Sequence, residues 1–485
     1  MHNNRKFLRD RVHEVPGRLY TIPYPFQEFR TGRAQRTTPI FTRLRDYGAR
    51  FNQVMGYERA MYFKKEEAPL DLSYFGLGED FKKASDPIAK DESVSIAETK
   101  TFFKPPWFKE VSEEFYAARA KVALCDYSSF AKFDLWSSGR EVVDFLQKLC
   151  ANDIDMPLGH IKHTGMHNKH GGYENDCSVA RLQENRFMLM SPSIQQMKSY
   201  AWMRHQLNQL GFEESVYLQD VTSLYTSLCI MGPRSKDTLG KLTDVDLSTA
   251  NFPYFTCRHM DVSCSPEILT MNMTHTGEQG YVLYIPNEFA VEIYDSILEA
   301  GQEFGIMNCG YFAMRALRIE KFYAFWGQDI DSYTTPMESG RNFRTKVKKN
   351  IDFIGGQVIA QEDKVGMGKK TLVLFLVDNN DHDSDVDPWP WGGEPIYRND
   401  VFVGSVTTCS YGFSLNKHVG LCYVTNPDEP FTDQEFVRQG RYEIEIAGTR
   451  YPIKVRLTPP TLPALGDASS QVDSNAQYRA TRHEN

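Results

Sequence analysis

The 485 residues hold no apolar run near the roughly 20 needed to cross a bilayer, so no stretch reads as a membrane helix. No G-x-G-x-x-G follows a strand-like run, and neither a Walker A loop nor a G-x-S-x-G elbow occurs. Those motifs supply phosphate-binding N–H groups or a strained nucleophile. Their absence excludes the FAD and NAD signatures and the serine-hydrolase one. Positive charge is in deficit too: 55 Lys and Arg against 63 Asp and Glu, a formal −8. Gripping a nucleic-acid backbone needs surplus cations on one face, so the balance argues against nucleic acid but leaves room for a local basic cleft. Paired cysteines are missing. The nine (Cys125, Cys150, Cys177, Cys229, Cys257, Cys264, Cys309, Cys409 and Cys422) stand singly and are odd in number. That fits reduced thiols rather than a secreted disulfide framework. The start, MHNNRKFLRDRVHEVPGR, is Arg-rich but carries Asp10 and Glu14 and no apolar stretch, so it is a poor transit peptide and no secretory signal.

What is present is a globular composition, 41% hydrophobic and 13% aromatic, at a length that predicts about three domains. Residues 1–65 are basic and aromatic, and Pro16, Pro23 and Pro25 are expected to break any long element there. Residues 66–104 join a short apolar piece, LDLSYFGLG, to the polar run KKASDPIAKDESVSIAETK, an exposed linker by composition. Compact alternation starts near Phe108. Val142, Phe145, Leu146 and Leu149 fall at i, i+3, i+4 and i+7, a helix stripe. Ala290, Ile293, Tyr294, Ile297 and Leu298 make a second, with Asn287 as the expected N-cap and Gly301 near the end. CGYFAMRALRIEKF reads as another helix. Strand-like runs lie between, at VARLQENRFMLMSPS, SLYTSLCIMG and EILTMNMTHTGEQGYVLYIP, so the pattern over about 108–365 is α+β. Past 370 the helical signal fades. KKTLVLFLVD reads as a buried strand, RNDVFVGSVTTCSYGFSL as strand-turn-strand, and RYEIEIAGTRYPIKVRL as a hairpin turning at 447–449. These form a small β domain, expected to be a barrel, before a polar tail of disordered composition.

Five groups are candidates for chemistry. In MHNKHGGYEND (166–176) two glycines allow a tight turn or close approach to a ligand. Asn175 and Asp176 then enter a strand, one facing a cleft and the other the core; a polar β-turn is the plainer reading. In THTGEQGY (274–281) Gly277 and Gly280 bracket Glu278, a carboxylate able to accept N–H groups of a heterocycle, or simply an exposed acid on a hairpin. Arg318 and Glu320, two apart on one helix, do not face each other; a solvated helix anchored by Trp326 is the plain reading. His160, His163, His167 and His170 have spacings suggestive of a metal site, but a strand scatters such residues to both faces. Five aspartates in 378–387, Asp381, Asp383 and Asp385 among them, could attract Ca²⁺ or Mg²⁺. Val386 stands where an EF-hand needs Gly and Gly392 where it needs Glu, so a solvated acidic loop is simpler.

ALCDYSSFAKF, ANDID, GGYENDCSV, IMGPRS, THTGEQGYVLYIP, ALRIEK and TTCSYGFSL, in this order over about 105–460, resemble the glycine-cleavage T-protein (aminomethyltransferase) fold. That fold also forms the C-terminal half of dimethylglycine and sarcosine dehydrogenases. QEFRTGRAQRTTP, KTFFKPPWF, DMPLGHIKHTGM, YAFWGQDID, HDSDVDPWPWGGEPIYRN and RQGRYEIEIAGTRYP narrow the resemblance to the regulatory-subunit group of pyruvate dehydrogenase phosphatase. It implies a bridging segment of an oxidase-like central domain at 1–104, without the FAD domain of full-length relatives. It implies a T-protein-like folate-binding domain at 105–368, a C-terminal β-barrel at 369–460 and a disordered tail at 461–485. A shortened paralogue or a truncated gene model would account for the missing FAD module.

The resemblance further implies a mitochondrial matrix protein that partners the phosphatase catalytic subunit and tunes its divalent-cation response. Tetrahydrofolate is the implied cofactor. Asn175 stands where T-proteins carry the Asp of GG-x-x-D that positions folate, with Asp176 the neighbouring acid. Asn cannot hold negative charge beside a developing cation, which puts catalysis in doubt. Glu278 matches the pterin-contacting Glu of T-G-E, with Tyr281 in the same run. His275 replaces a family Tyr, and Arg318 matches the Arg of L-R-L-E. The expectation is a non-catalytic regulator; the alternative is an aminomethyl-transfer module using Glu278, Arg318 and Asp176. No metal site is expected, Asp381, Asp383 and Asp385 being weak candidates.

Overall fold

The computed structural model describes residues 4–64, 94–349, 352–463 and 465; most of the expected linker and tail lies outside them. A five-stranded antiparallel sheet runs in the order Ile161–His167, Tyr173–Gln183, Arg186–Ser191, Ala131–Ser137, Val216–Asp220. Its outer face buries Phe133, Leu135, Val179 and Leu189 against Val142, Phe145, Leu146 and Leu149 of the helix Glu141–Leu149, the stripe expected from spacing. A six-stranded sheet runs Cys257–Val262, Ser265–Met271, Gly280–Pro286, Tyr225–Met231, Ala123–Asp126, Met307–Asn308, with only the last pair parallel. Ile293, Tyr294, Ile297 and Leu298 of the helix Ala290–Gly301 cover its outer face. At about 1.5–3 kcal/mol per fully buried large apolar side chain, either stripe is enough to hold its helix on its sheet.

The inner faces of the two sheets meet in a third core, where Ala180, Met188 and Met190 join Cys229, Met271 and Val282. The helix Tyr311–Glu320 runs through this core to the C-terminal domain. That domain is a closed six-stranded barrel: Lys370–Val377, Lys417–Thr425, Val401–Gly412, Pro395–Arg398, Tyr442–Ile446, Thr449–Arg456. Tyr442, Ile444 and Ile446 point inward between half-buried glutamates, as alternation dictates. The hairpin turns at Ala447 (φ 49°) and Gly448 (φ 86°), two successive left-handed residues that match the twist of the flanking strands.

Local readings give way at several places. Arg5–Leu19 is a 15-residue helix despite Pro16, which lies in its last turn. Polar ties that apolar periodicity cannot register hold it. Arg11 donates to Thr31 O (2.8 Å), and Glu14 accepts from the backbone N–H of Arg30 and Thr31 (2.8 and 2.9 Å). Compact structure also begins well before Phe108. The helix Phe41–Asp46 precedes a hairpin of Ala49–Val54 and Tyr57–Phe63, whose Phe51 and Ala60 enter the six-stranded sheet's outer core. Asn287 does not cap its helix; its side chain accepts from Thr226 Oγ1 (2.9 Å) and donates to Ser223 O (2.8 Å) instead. Val401–Gly412 is one continuous strand bent by a bulge, rather than two. Nor is the helix carrying Arg318 and Glu320 solvated. Both are fully buried where it lies between core and barrel.

Candidate functional site

A solvent-open cleft with a cavity volume of about 110 Å³ lies at the rim of the inner core, below the roughly 300–1,000 Å³ usual for drug-sized ligands and so sized for a small group. Side chains alternate along Tyr173–Gln183, which sends Asp176 and Ser178 into the cleft while Asn175 is fully buried off it. His163 arrives from the neighbouring strand Ile161–His167, and His275 from the turn between Met271 and Gly280. The walls are rings: His275 stacks on Phe130 (centroids 4.6 Å apart), and Tyr323, Phe325 and Trp326 join the lining from the segment after the helix Tyr311–Glu320. Arg341 and Arg344 complete the lining.

The polar centre is a short chain. His163 Nε2 lies 3.1 Å from Asp176 Oδ1, and His163 Nδ1 lies 3.0 Å from Ser178 Oγ. Burial lowers the His163 pKa, assisted by Arg344. The neutral ring then donates from Nε2 to the carboxylate and accepts at Nδ1 from the Ser178 hydroxyl. Burial works to raise the Asp176 pKa, but His163, Arg341 and Arg344 outweigh it and hold the carboxyl well below the usual range. Burial pushes His275 down to about 4, so it is neutral at pH 7. The cleft therefore carries an ionised acceptor, two guanidiniums and flat apolar walls. Such a site accepts hydrogen bonds from a ring N–H edge and attracts negative charge.

The other residues singled out in the sequence lie elsewhere. Asn175 Nδ2 donates to Ser191 Oγ (2.8 Å) and its Oδ1 has no partner among the described residues. The acid facing the cleft is thus the neighbour of the position matched to the family Asp. Glu278 is buried off the cleft, gripped by Lys321 Nζ and by Arg119 Nη1 (3.5 Å). Tyr281 is a core residue whose hydroxyl donates to Leu247 O (3.5 Å). Arg318 donates to Tyr323 O (2.8 Å), Asp329 Oδ2 (2.5 Å), Gln328 Oε1 (2.8 Å) and Thr408 Oγ1 (3.2 Å). It shapes the cleft only by holding the 323–329 loop.

The four histidines do not converge. His160 and His170 are exposed, and buried His167 meets Gly171 O through Nδ1 (3.1 Å). In the acidic loop Asp383 accepts from Asp385 N (2.9 Å), Asp387 accepts from Asp383 N (2.8 Å), and Asp385 pairs with Lys104 (2.6 Å). Among the described residues no group of three His, Cys, Asp or Glu is placed to hold a metal ion. Sequence reasoning missed Arg341, Arg344, Phe130 and Tyr323. Only the R-x-x-R spacing of the two arginines offered a signal.

The family model of the GCVT N-terminal domain matches residues 40–349, and that of the glycine cleavage T-protein C-terminal barrel domain matches 370–461. The FAD dependent oxidoreductase central domain matches 1–38. The chain is 42% identical over 466 residues to the mitochondrial pyruvate dehydrogenase phosphatase regulatory subunit of Mus musculus, covering 95% of this chain and 50% of that protein. It is 29% identical over 457 residues to 4-methylaminobutanoate oxidase (formaldehyde-forming) of Paenarthrobacter nicotinovorans, covering 94% and 50%. It thus spans about half the length of these curated relatives. A solved aminomethyltransferase T of the glycine cleavage system, from Bartonella henselae, superposes with a TM-score of 0.67 at 17% identity, covering 88% of this chain and 98% of that one. That likeness shows a shared fold.

Proposed function

This chain belongs to the glycine cleavage T-protein family, and from that premise we propose that it acts as a non-catalytic regulatory subunit. Its partner is a pyruvate dehydrogenase phosphatase catalytic subunit in the mitochondrial matrix, whose response to divalent cation it shifts. The 42% identity to a regulatory subunit of that name supports the choice of partner. The observation that carries the non-catalytic reading is Glu278. The resemblance gives this carboxylate to a pterin, but here Lys321 and Arg119 neutralise it inside the protein. Both cations meet Oε1, so the carboxylate's charge is spent inside the protein, and Glu278 is not among the residues lining the cleft. The test is the rate of dephosphorylation by the catalytic subunit against Mg²⁺ concentration, with and without the chain. A displaced Mg²⁺ midpoint supports the reading. Identical curves together with no complex on gel filtration sink it.

Asp176 favours a second reading, a module that receives a one-carbon unit on tetrahydrofolate. The cleft residues fit that cofactor: rings to flank a pterin, Asp176 to accept its N–H groups, Arg341 and Arg344 to face its carboxylates. Tetrahydrofolate supplies the nucleophilic nitrogens when bound. The chain's own contribution is to bind, orient and hold an unprotonated acceptor beside them. Formation of methylene-tetrahydrofolate from an aminomethyl donor would establish this reading over the first.

A further inference from the structure

We propose that the cleft selects a small planar anion, an aromatic or heteroaromatic carboxylate, and that Arg341 and Arg344 form the clamp that reads its charge. The proposal rests on the reading of the cleft as a ligand site. Both arginines come from one tight turn. Arg344 N donates to Arg341 O (3.0 Å), and the short 3-10 helix Asn342–Arg344 follows. In a 3-10 turn side chains at i and i+3 eclipse, so both guanidiniums project on one side, into the cleft.

Neither has an ion-pair partner within 4 Å among the described residues. Arg341 is 7% exposed and reaches only Ala324 O (3.3 Å), while Arg344 Nε is buried with no acceptor. Burying a guanidinium without a counter-ion is costly and is relieved by an incoming anion. Asp176 is the single carboxylate among the cleft-lining residues, against two cations, and it already accepts from His163. The site is left one positive charge in surplus. The walls are aromatic: the His275–Phe130 stack, with Tyr323 and Phe325 also in the lining, offers flat surfaces suited to a ring.

The test compares benzoate with benzamide, its neutral counterpart of the same shape, by calorimetric titration of the full chain. Benzoate is expected to bind at least about tenfold tighter, the usual return on a charge-assisted hydrogen bond. Arg341→Gln and Arg344→Gln each remove about that factor for benzoate while leaving benzamide within about twofold. Asp176→Asn moves the other way and strengthens benzoate, an opposite sign that a merely structural role does not produce. Melting temperatures of the two arginine variants, expected near that of the wild type because neither arginine has an ion-pair partner among the described residues, separate lost binding from lost fold. Equal affinity for benzoate and benzamide overturns the proposal, and so does benzoate binding that survives both arginine substitutions. A chain that shifts the phosphatase's Mg²⁺ curve yet fails to discriminate the two probes refutes the clamp and leaves the regulatory reading standing. Discrimination with neither a Mg²⁺ shift nor a complex on gel filtration refutes the regulatory reading and leaves the clamp.

Discussion

Replacing Glu278 with alanine separates two roles for that residue, one in a ligand site and one in the fold. Its carboxylate is 5% exposed and neutralises Lys321 and Arg119, which are 1% and 4% exposed. Truncation strips two buried cations of their ion-pair partner, leaving Arg119 only its hydrogen bond to Pro463 O (2.9 Å). Removing one partner of a buried pair costs about 3–5 kcal/mol. Arg119 has no neutral form to adopt, but Lys321 does, and burial already lowers its pKa. Deprotonating an ordinary lysine at pH 7 costs about 5 kcal/mol, which sets a ceiling on its share. At about 2–4 °C per kcal/mol for a large domain, Glu278→Ala should melt on the order of 10 °C below wild type.

The sign with pH follows from the same groups. A lysine held neutral in the fold has a depressed pKa, so the variant's deficit shrinks as pH rises toward 10. Adding Lys321→Met removes the stranded charge and should recover at least about half the loss, since an apolar replacement of a buried pair is often near neutral. The assay is calorimetric melting of the wild type, the single and the double variant at pH 7 and 9. A single variant that melts within about 2 °C of the wild type while losing tetrahydrofolate binding would falsify this account and return Glu278 to the cleft.

Three further outcomes are expected. Arg318→Met leaves Asp329, which is fully buried, without its cation and cuts the tie to Thr408 of the barrel; it should cost about 3–5 kcal/mol by urea titration, and an unchanged midpoint would contradict the buried-pair assignment. Burial raises the Glu320 pKa from 4.5 to about 7 although Ser414 N donates to it; its stabilising contribution, about 3 kcal/mol, is complete below about pH 4.5 and lost as pH rises through 7. Glu320→Gln, which mimics the protonated acid, should flatten stability between pH 5 and 8, and a slope equal to the wild type's refutes the assignment. A Cβ on Gly172 would lie 1.9 Å from Ser332 O, a backbone atom that cannot swing aside; Gly172→Ala should therefore lower stability by about 1–3 kcal/mol and displace the neighbouring loop, whereas a melt matching the wild type would show that the backbone yields.

The periodic parts of the fold were legible without coordinates. The stripes on Glu141–Leu149 and Ala290–Gly301 and the alternation in Tyr442–Ile446 repeat an apolar residue at the helix or strand period, and burial of one face is a local property of such a pattern. The motif order fixed the family for the same reason: it is a one-dimensional fact. The helix Arg5–Leu19 was not legible, because Arg11 and Glu14 hold it through carbonyl and N–H groups 16 to 20 residues away. Nor was the face of a strand. A shift of one residue reverses what points inward, so only the sheet register decides that Asp176 meets the cleft and Asn175 does not. Charge partners depend on tertiary structure most of all. Glu278 and Lys321 are 43 residues apart, and no spacing rule joins them; packing the inner core brings them together and withdraws from the cleft the carboxylate its motif had promised. The same packing turns Arg341 and Arg344, mute in the sequence, into the cleft's surplus charge. Chain pattern selects elements and family. Which polar groups end up facing one another, and hence what the cleft attracts, is set only when the sheets close on each other.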